Sequence, residues 1–264
     1  MTYTALVLAG SRGPDCDVAA LGDVSHKALL PVHGIPMIER VIGTLKSVAG
    51  IDRILVVIET PGILHDLPSL QPLFASDYLQ TIEAKSSPAQ SALHGFETVR
   101  AGQDGPVLMT TGDNCLLTPQ ILEYFLASLT DGPDVTAAMV KTDLVLQAYP
   151  EARRTRMRFR DGGQGGCNLF AFQTTEARRI INFWRQIEQN RKSPLTMVRQ
   201  LGMMTVLQYV TRRLTLAQAL GKLGKQTGTR LATIDMPFAE AAIDVDTPDD
   251  FYLAEKILKR RDTR

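Results

Sequence analysis

The chain has 264 residues, with 29 Lys and Arg against 28 Asp and Glu, a net charge of +1, 44% hydrophobic and 22% charged residues. That much apolar surface with so little net charge excludes a disordered chain, and the charge balance argues against a general nucleic-acid binder, which carries a basic excess. The length suits one large core, or one core with a small appendage.

Ala5-Leu6-Val7-Leu8-Ala9 opens the chain as a continuous apolar strand ending at Gly10. The segment has no basic n-region and reads as a buried strand, not a signal peptide. Met37, Ile38, Val41, Ile42 and Leu45 repeat at helical spacing over 36–48, and Arg53–Ile58 is a second strand, apolar on both faces. A polar segment ends near Lys85, followed by a helix over 89–101. Val107–Thr111 is a third strand. Thr118 as N-cap and Pro119 at the first helical position open a helix to about Leu129. Asp134–Val140 is a fourth strand. Strands apolar on both faces, alternating with helices, imply a parallel sheet covered on both sides.

The second half differs. Arg154–Arg160 alternates with period two, and with Asp161-Gly162-Gly163 and Cys167–Phe172 it reads as a hairpin with a glycine-rich connection. An amphipathic helix covers 175–190, two or three more helices fill 194–224, and Thr229–Ile234 and Ala241–Asp246 are strands. A final helix runs from about Pro248 to Lys259. The expected fold is α/β, a single Rossmann-like, mostly parallel sheet with helices on both faces, a small hairpin, and a helical insertion near 190–225. No stretch approaches the ~20 apolar residues of an integral membrane segment. Cys16, Cys115 and Cys167 fit neither a disulfide framework nor a CxxC metal site, so a reducing, cytoplasmic location is expected.

In such sheets ligands bind beyond the carboxyl ends of strands, near a topological switch point. Four groups of residues are candidates. The first is Leu8-Ala9-Gly10-Ser11-Arg12-Gly13 with the following Lys27. Backbone N–H groups on such a turn can line a phosphate-binding concavity, with Arg and Lys as countercharge, although a glycine turn with surface bases reads equally well. The second is Asp113, closing the third strand in Thr111-Gly112-Asp113-Asn114. Its oxygens suit Mg²⁺, which takes one or two protein carboxylates and leaves positions for phosphate and water. The third is Asp244 and Asp246, on one face of a strand end, where two like charges repel unless a cation sits near them. Thr247, Asp249 and Asp250 are explained as a helix start. The fourth is the comb Arg154, Arg156, Arg158 and Arg160, which binds an anionic substrate or serves as a solvated edge face. Ser87 and Ser91 read first as a helix start, and could also place hydroxyls near a bound base or phosphate. The four histidines show no metal-ligand spacing, and the apolar patch around Met203–Val210 reads as core.

Leu8-Ala9-Gly10 followed by Lys27-Ala28-Leu29-Leu30-Pro31 and Pro36-Met37-Ile38 resembles the opening of the MobA-like nucleotidyltransferases, relatives of sugar-phosphate nucleotidylyltransferases and cytidylyltransferases. Thr111-Gly112-Asp113 resembles the family's metal-binding aspartate, and Asp244–Asp250 its late aspartate motif. Gly166-Cys167-Asn168-Leu169-Phe170 sits where relatives line the acceptor pocket, which brings in Asn168. Ser11 stands where the family has a second glycine, and Asp15 where it has an arginine, leaving Arg12 as substitute. The resemblance implies Mg²⁺-dependent transfer of a nucleoside monophosphate from a nucleoside triphosphate to a phosphorylated small molecule, with release of pyrophosphate. It assigns Lys27, Asp113 and Arg12 to catalysis. The nucleotide falls to Leu8, Ala9, Gly10, Ser11, Arg12, Gly13, Lys27, Ser87 and Ser91, and the metal to Asp113, Asp244 and Asp246. The acceptor falls to Asn168 and, on this chain's own pattern, Arg154, Arg156 and Arg158. Residues 1–264 form one domain on this reading, with a nucleotide-binding half to 145 and an acceptor-binding half from 146. Base and acceptor stay open, as does a homodimer. So do two alternatives: a metal-dependent glycosyltransferase using Asp244-x-Asp246, and a non-catalytic nucleotide-binding protein.

Overall fold

A computed structural model of the chain describes residues 2–11, 17–102, 105–153, 157–190 and 202–263. In chain order the elements are β1 (Tyr3–Leu8), α1 (Asp17–Ala20), β2 (Pro31–Val32), β3 (Ile35–Pro36), α2 (Met37–Ser47), β4 (Ile51–Ile58), α3 (Gln71–Ala75) and β5 (Leu79–Glu83). Then come α4 (Pro88–Gly102), β6 (Val107–Thr111), α5 (Pro119–Ala127), β7 (Val135–Lys141), α6 (Thr142–Ala148), β8 (Met157–Phe159) and β9 (Gly162–Phe172). The last are α7 (Ala177–Asn190), α8 (Met203–Val210), α9 (Leu216–Thr227), β10 (Leu231–Asp235) and α10 (Pro248–Asp262). Arg12, Gly13, Cys16, Arg154, Arg156 and the first part of the expected helical insertion lie outside the described residues.

The main sheet runs β10-β7-β9-β6-β1-β4-β5, with β8 added to β9. β1 is parallel to β4 and β6, β4 to β5, and β7 to β10. β9 alone runs antiparallel, between β6 and β7. The next strand of this sheet after β1, β4, lies on one side of it, whereas β6 lies on the other. The order therefore reverses at β1, and the crevice at the carboxyl ends of β1 and β6 is the switch point where such sheets bind ligands. Leu8 and Thr111 are paired, so both strands end at one level.

Alternation along β1 divides the core. Tyr3, Ala5 and Val7 face one layer with Met37, Ile38, Val41, Ile42 and Leu45 of α2 and Leu253, Ala254 and Ile257 of α10. Leu6 faces the other, with Ala92, Leu93 and Phe96 of α4 and Ile181 of α7. Helices thus cover both faces, as strands without a polar side require. A Cβ on Gly95 would lie 2.4 Å from Leu6 Cδ1, so only glycine lets α4 lie this close to the sheet. At the end of the chain Thr247 and Asp250 form a reciprocal capping box with Pro248 in the first turn, which makes Asp249 and Asp250 parts of the helix start.

The stretch Met203–Val210, read as core, instead forms α8 with Met203, Met204, Leu207, Tyr209 and Val210 exposed. Further local features depart from the sequence reading. The polar segment before Lys85 contains β5, a sheet-edge strand on which only Leu79 is fully buried, so its apolar pattern is weak. Helix α6 follows β7 without a loop. The hairpin connection is the two-residue turn Arg160–Asp161, and the glycines belong to β9 itself. A Cβ at Gly163 would meet Thr142 Oγ1 at 2.8 Å, so this glycine lets β9 pass under the start of α6. Finally, Ala241–Asp246 is not a strand. A 3₁₀ turn covers Ala239–Ala242, and the extended residues after it cross the end of β6, where the Val245 N–H donates to the Asp113 carbonyl at 3.2 Å. Ile243 and Val245 point into the core, which accounts for the alternation that resembled a strand.

Candidate functional site

The site forms where three chain segments meet at the switch point. The loop after β1 and the loop after β6 are tied together by the Gly112 N–H, which donates to the Leu8 carbonyl at 2.9 Å. A Cβ at Gly112 would sit 3.0 Å from Ala9 Cβ, so glycine is needed for this approach. The third segment is the crossing stretch with Asp244 and Asp246.

Lys27 stands at the centre. Its Nζ donates to Asp113 Oδ2 at 2.6 Å and to Asp246 Oδ1 at 2.9 Å. Side-chain exposure is 12% for Lys27, 19% for Asp113 and 52% for Asp246. Burial pulls the Lys27 pKa down, but the charges of Asp113 and Asp246 outweigh it and hold the ammonium above its ordinary value. The cation that the late acids called for is therefore, for Asp246, the side chain of Lys27. Asp244 is bonded instead by Asn168, whose Nδ2 donates to its Oδ2 at 2.5 Å. Asn168 has φ +47°, a left-handed conformation that Asn tolerates better than most residues, and it lies at the register shift of the β7–β9 pairing.

Asp113 Oδ1 is buried and has no hydrogen-bond partner among the described residues. An unsatisfied carboxylate oxygen costs free energy unless something binds it. It is a hard donor of the kind Mg²⁺ takes, next to a second acid, so the residues fit a Mg²⁺ ion that uses one or two carboxylates. Among the described residues no three His, Cys, Asp or Glu side chains converge as a ready-made ligand set.

The loop after β1 carries a further contact. The Ser11 N–H donates to Glu59 Oε1 at 2.7 Å. Glu59 Oε2 lies 3.0 Å from His26 Nε2, and His26 Nδ1 accepts the Ala28 N–H at 3.1 Å, capping the 3₁₀ turn Lys27–Leu29. Partial burial pushes the Glu59 carboxyl up, but the donors from His26 and the backbone outweigh it and hold it below the usual range. Neither residue stood out as functional in the sequence. The available signal was an acid directly after the buried run Ile54–Ile58, at a strand end two residues before Pro61.

The remaining candidates are placed differently. Ser87 Oγ accepts the Gln90 N–H at the start of α4, and Ser91 Oγ accepts the Lys85 N–H at 2.9 Å, so both hydroxyls shape the rim beyond β5. Arg158 is exposed on β8, with its N–H on Tyr209 Oη at 3.4 Å. It pairs with Gly163, five residues from Asn168, or roughly 17 Å along the strand. The structure therefore brings Lys27, Asp113, Asp246, Asp244 and Asn168 together with the loop Ala9–Ser11, and leaves Arg158 apart. Asn114, not singled out in the sequence, is buried and donates to the Cys167 carbonyl at 3.2 Å, tying the Asp113 loop to β9.

Residues 5–179 match the MobA-like NTP transferase domain family. The bifunctional protein GlmU of an Exiguobacterium species is 28% identical over 127 residues, 48% of this chain and 26% of that protein, so the chain spans about a quarter of that relative's length. The 2-C-methyl-D-erythritol 4-phosphate cytidylyltransferase of Cereibacter sphaeroides is 27% identical over 177 residues, 67% of this chain and 72% of that protein. The solved structure of a hypothetical transferase from Thermus thermophilus superposes with a TM-score of 0.77 at 28% identity, covering 95% of this chain and 100% of that one. The chain thus belongs to the MobA-like NTP transferase domain family, which places it among the nucleotidyltransferases.

Proposed function

We propose that the protein transfers a nucleoside monophosphate from a nucleoside triphosphate to a phosphorylated small-molecule acceptor in a Mg²⁺-dependent reaction. The observation that carries this reading is the Lys27 ammonium held between Asp113 and Asp246 beside the loop after β1. A phosphate oxygen of the acceptor attacks the α-phosphorus, the bond from that phosphorus to the β-phosphate bridging oxygen breaks, and pyrophosphate leaves. No residue forms a covalent intermediate, so the chain contributes position and charge. Lys27 neutralises charge on the triphosphate and on the departing pyrophosphate, and the Asp113 and Asp246 carboxylates keep it protonated and aimed. Arg12 is assigned the same role as a second cation. Backbone from Leu8 to Gly13 holds the nucleotide, and Ser87 and Ser91 shape the rim on the same side.

Asp113, with Asp246 and Asp244, would hold Mg²⁺, which supplies charge neutralisation at phosphate oxygens when bound. Asn168 fixes Asp244 on the acceptor side. Arg158 reaches only an acceptor long enough to extend along β9, and an unchanged acceptor KM in R158A would remove it from the site. Residues 1–145 and 146–264 act as nucleotide and acceptor halves of one domain. Among the described residues no helix is long and apolar enough to cross a membrane. The buried free thiols Cys115 and Cys167 suit a reducing cytoplasm.

The test is pyrophosphate release with Mg²⁺, in a matrix of CTP, GTP, UTP and ATP against phosphorylated acceptors. Release that requires one nucleotide and one acceptor supports the reading, and Asp113→Asn should remove most of it while the fold persists. Near-normal turnover in Asp113→Asn contradicts the assignment. Nucleotide binding without turnover across the matrix favours a binding protein instead.

A further inference from the structure

Three parts of the molecule lie outside the mechanism above: the exposed apolar face of α8, the His33–Glu255–Asp262 cluster, and the His26–Glu59 pair. The α8 face shows nothing of what covers it, and the second cluster fastens β2–β3 to the end of α10. The third sits between the two nucleotide-handling segments and is built from continuous hydrogen bonds.

We propose that Glu59 and His26 are positioning residues that lock the loop after β1 to the Lys27 turn, so that the nucleotide meets a preformed site. This rests on the nucleotidyl-transfer reading above. The chain of contacts runs from the Ser11 N–H to Glu59 Oε1, from Glu59 Oε2 to His26 Nε2, and from His26 Nδ1 to the Ala28 N–H. Because Nδ1 accepts from a backbone N–H, the ring proton is on Nε2, and that nitrogen donates to Glu59. Both oxygens of one carboxylate and both nitrogens of one imidazole are thereby used, and the ring is 8% exposed. Gly10 closes over the carboxylate, since a Cβ there would lie 3.2 Å from Glu59 Oε1. Glu59 directly follows β4, the strand next to β1, so the lock is anchored at the end of the sheet. Fixing a loop before ligand arrives removes an ordering cost from binding.

Two substitutions separate this lock from simple structural support. Glu59→Gln is isosteric but offers one acceptor to two donors, so in either orientation its NH₂ meets an N–H. His26→Asn keeps a side chain able to cap the Lys27 turn but too short to reach Glu59. Each should raise the nucleotide KM about tenfold, the scale of a lost hydrogen bond to a charged group. Acceptor KM should stay within about twofold, as the acceptor side lies elsewhere in the crevice, and exchange of the Ser11 amide hydrogen should accelerate in both variants. If the wild type turns over and both variants keep its nucleotide KM, the lock is overturned while the function stands. If the wild type is silent in every nucleotide and acceptor combination, the transfer reading falls. Ser11 exchange then decides the lock alone: unchanged exchange in Glu59→Gln overturns it, and faster exchange sustains it.

Discussion

Lys27→Met tests whether the ammonium is what holds the site together. The substitution keeps a long apolar stem but removes the charge from between two carboxylates at 2.6 and 2.9 Å. At an effective dielectric of ~20 the attraction between Lys27 and Asp113 at this spacing is about 6 kcal/mol before desolvation. Desolvating the two groups offsets several kcal/mol of that. Asp246, half exposed, regains water when the lysine leaves and contributes little, as exposed pairs do. Asp113 cannot, so its stranded charge dominates, and the net loss should be about 3 kcal/mol, the low end for breaking a buried pair. For a chain of this size that corresponds to a fall in Tm of roughly 6–12 °C. The double variant Lys27→Met/Asp113→Asn removes both charges and should recover at least half of the loss. Calorimetric melts of the four proteins give the coupling directly. A Lys27→Met protein that melts within about 2 °C of wild type, or a coupling under about 0.5 kcal/mol, would refute this account of the site.

Other outcomes follow from single contacts. Arg230 donates to both oxygens of buried Asp134 and draws its carboxyl down to about 2, fastening β10 to β7. A depressed folded pKa stabilises above the unfolded value of about 4, and the contribution is lost as pH falls toward 2. Asp134→Asn should therefore cost about 2 kcal/mol at neutral pH and progressively less as pH falls to and below about 2, and a pH-independent difference in chemical denaturation would contradict the linkage. Gly112→Ala should push the loop after β6 off Ala9, where its Cβ would lie 3.0 Å from that of Ala9, and cost about 1–3 kcal/mol with a raised nucleotide KM. Wild-type kinetics in that variant would mean that the two loops need not approach. Burial pushes the Cys115 and Cys167 thiols up to about 12, so peptide mapping should find both unalkylated in the folded protein and alkylated after unfolding. Native labelling at either position would contradict their burial.

The pattern that was legible in the chain is the local one. Runs such as Ala5–Ala9 and Val107–Thr111 declared buried strands, the Met37–Leu45 spacing declared a helix, and Thr247-Pro248 declared the start of the last one, because burial on two faces, helical period and capping each depend on neighbours in sequence. Those elements, with the motifs around Lys27, Asp113 and Asp246, were enough for fold class and family. Strand β5 escaped because an edge strand buries too little to look apolar, and Gly163 of β9 read as part of a turn because the reason for it is Thr142, twenty-one residues away. Ile243 and Val245 gave a strand's alternation, yet that stretch pairs with a loop carbonyl at the end of β6 instead of joining the sheet. The tertiary structure also decided partners. That Asp246 shares Lys27 with Asp113, that Asp244 belongs to Asn168, and that Glu59 holds both Ser11 and His26 are facts about segments 33 to 219 residues apart. Charge and hydrogen bonding act over a few ångströms of space, and only the folded sheet, with its strand order reversing at β1, brings those segments within that reach.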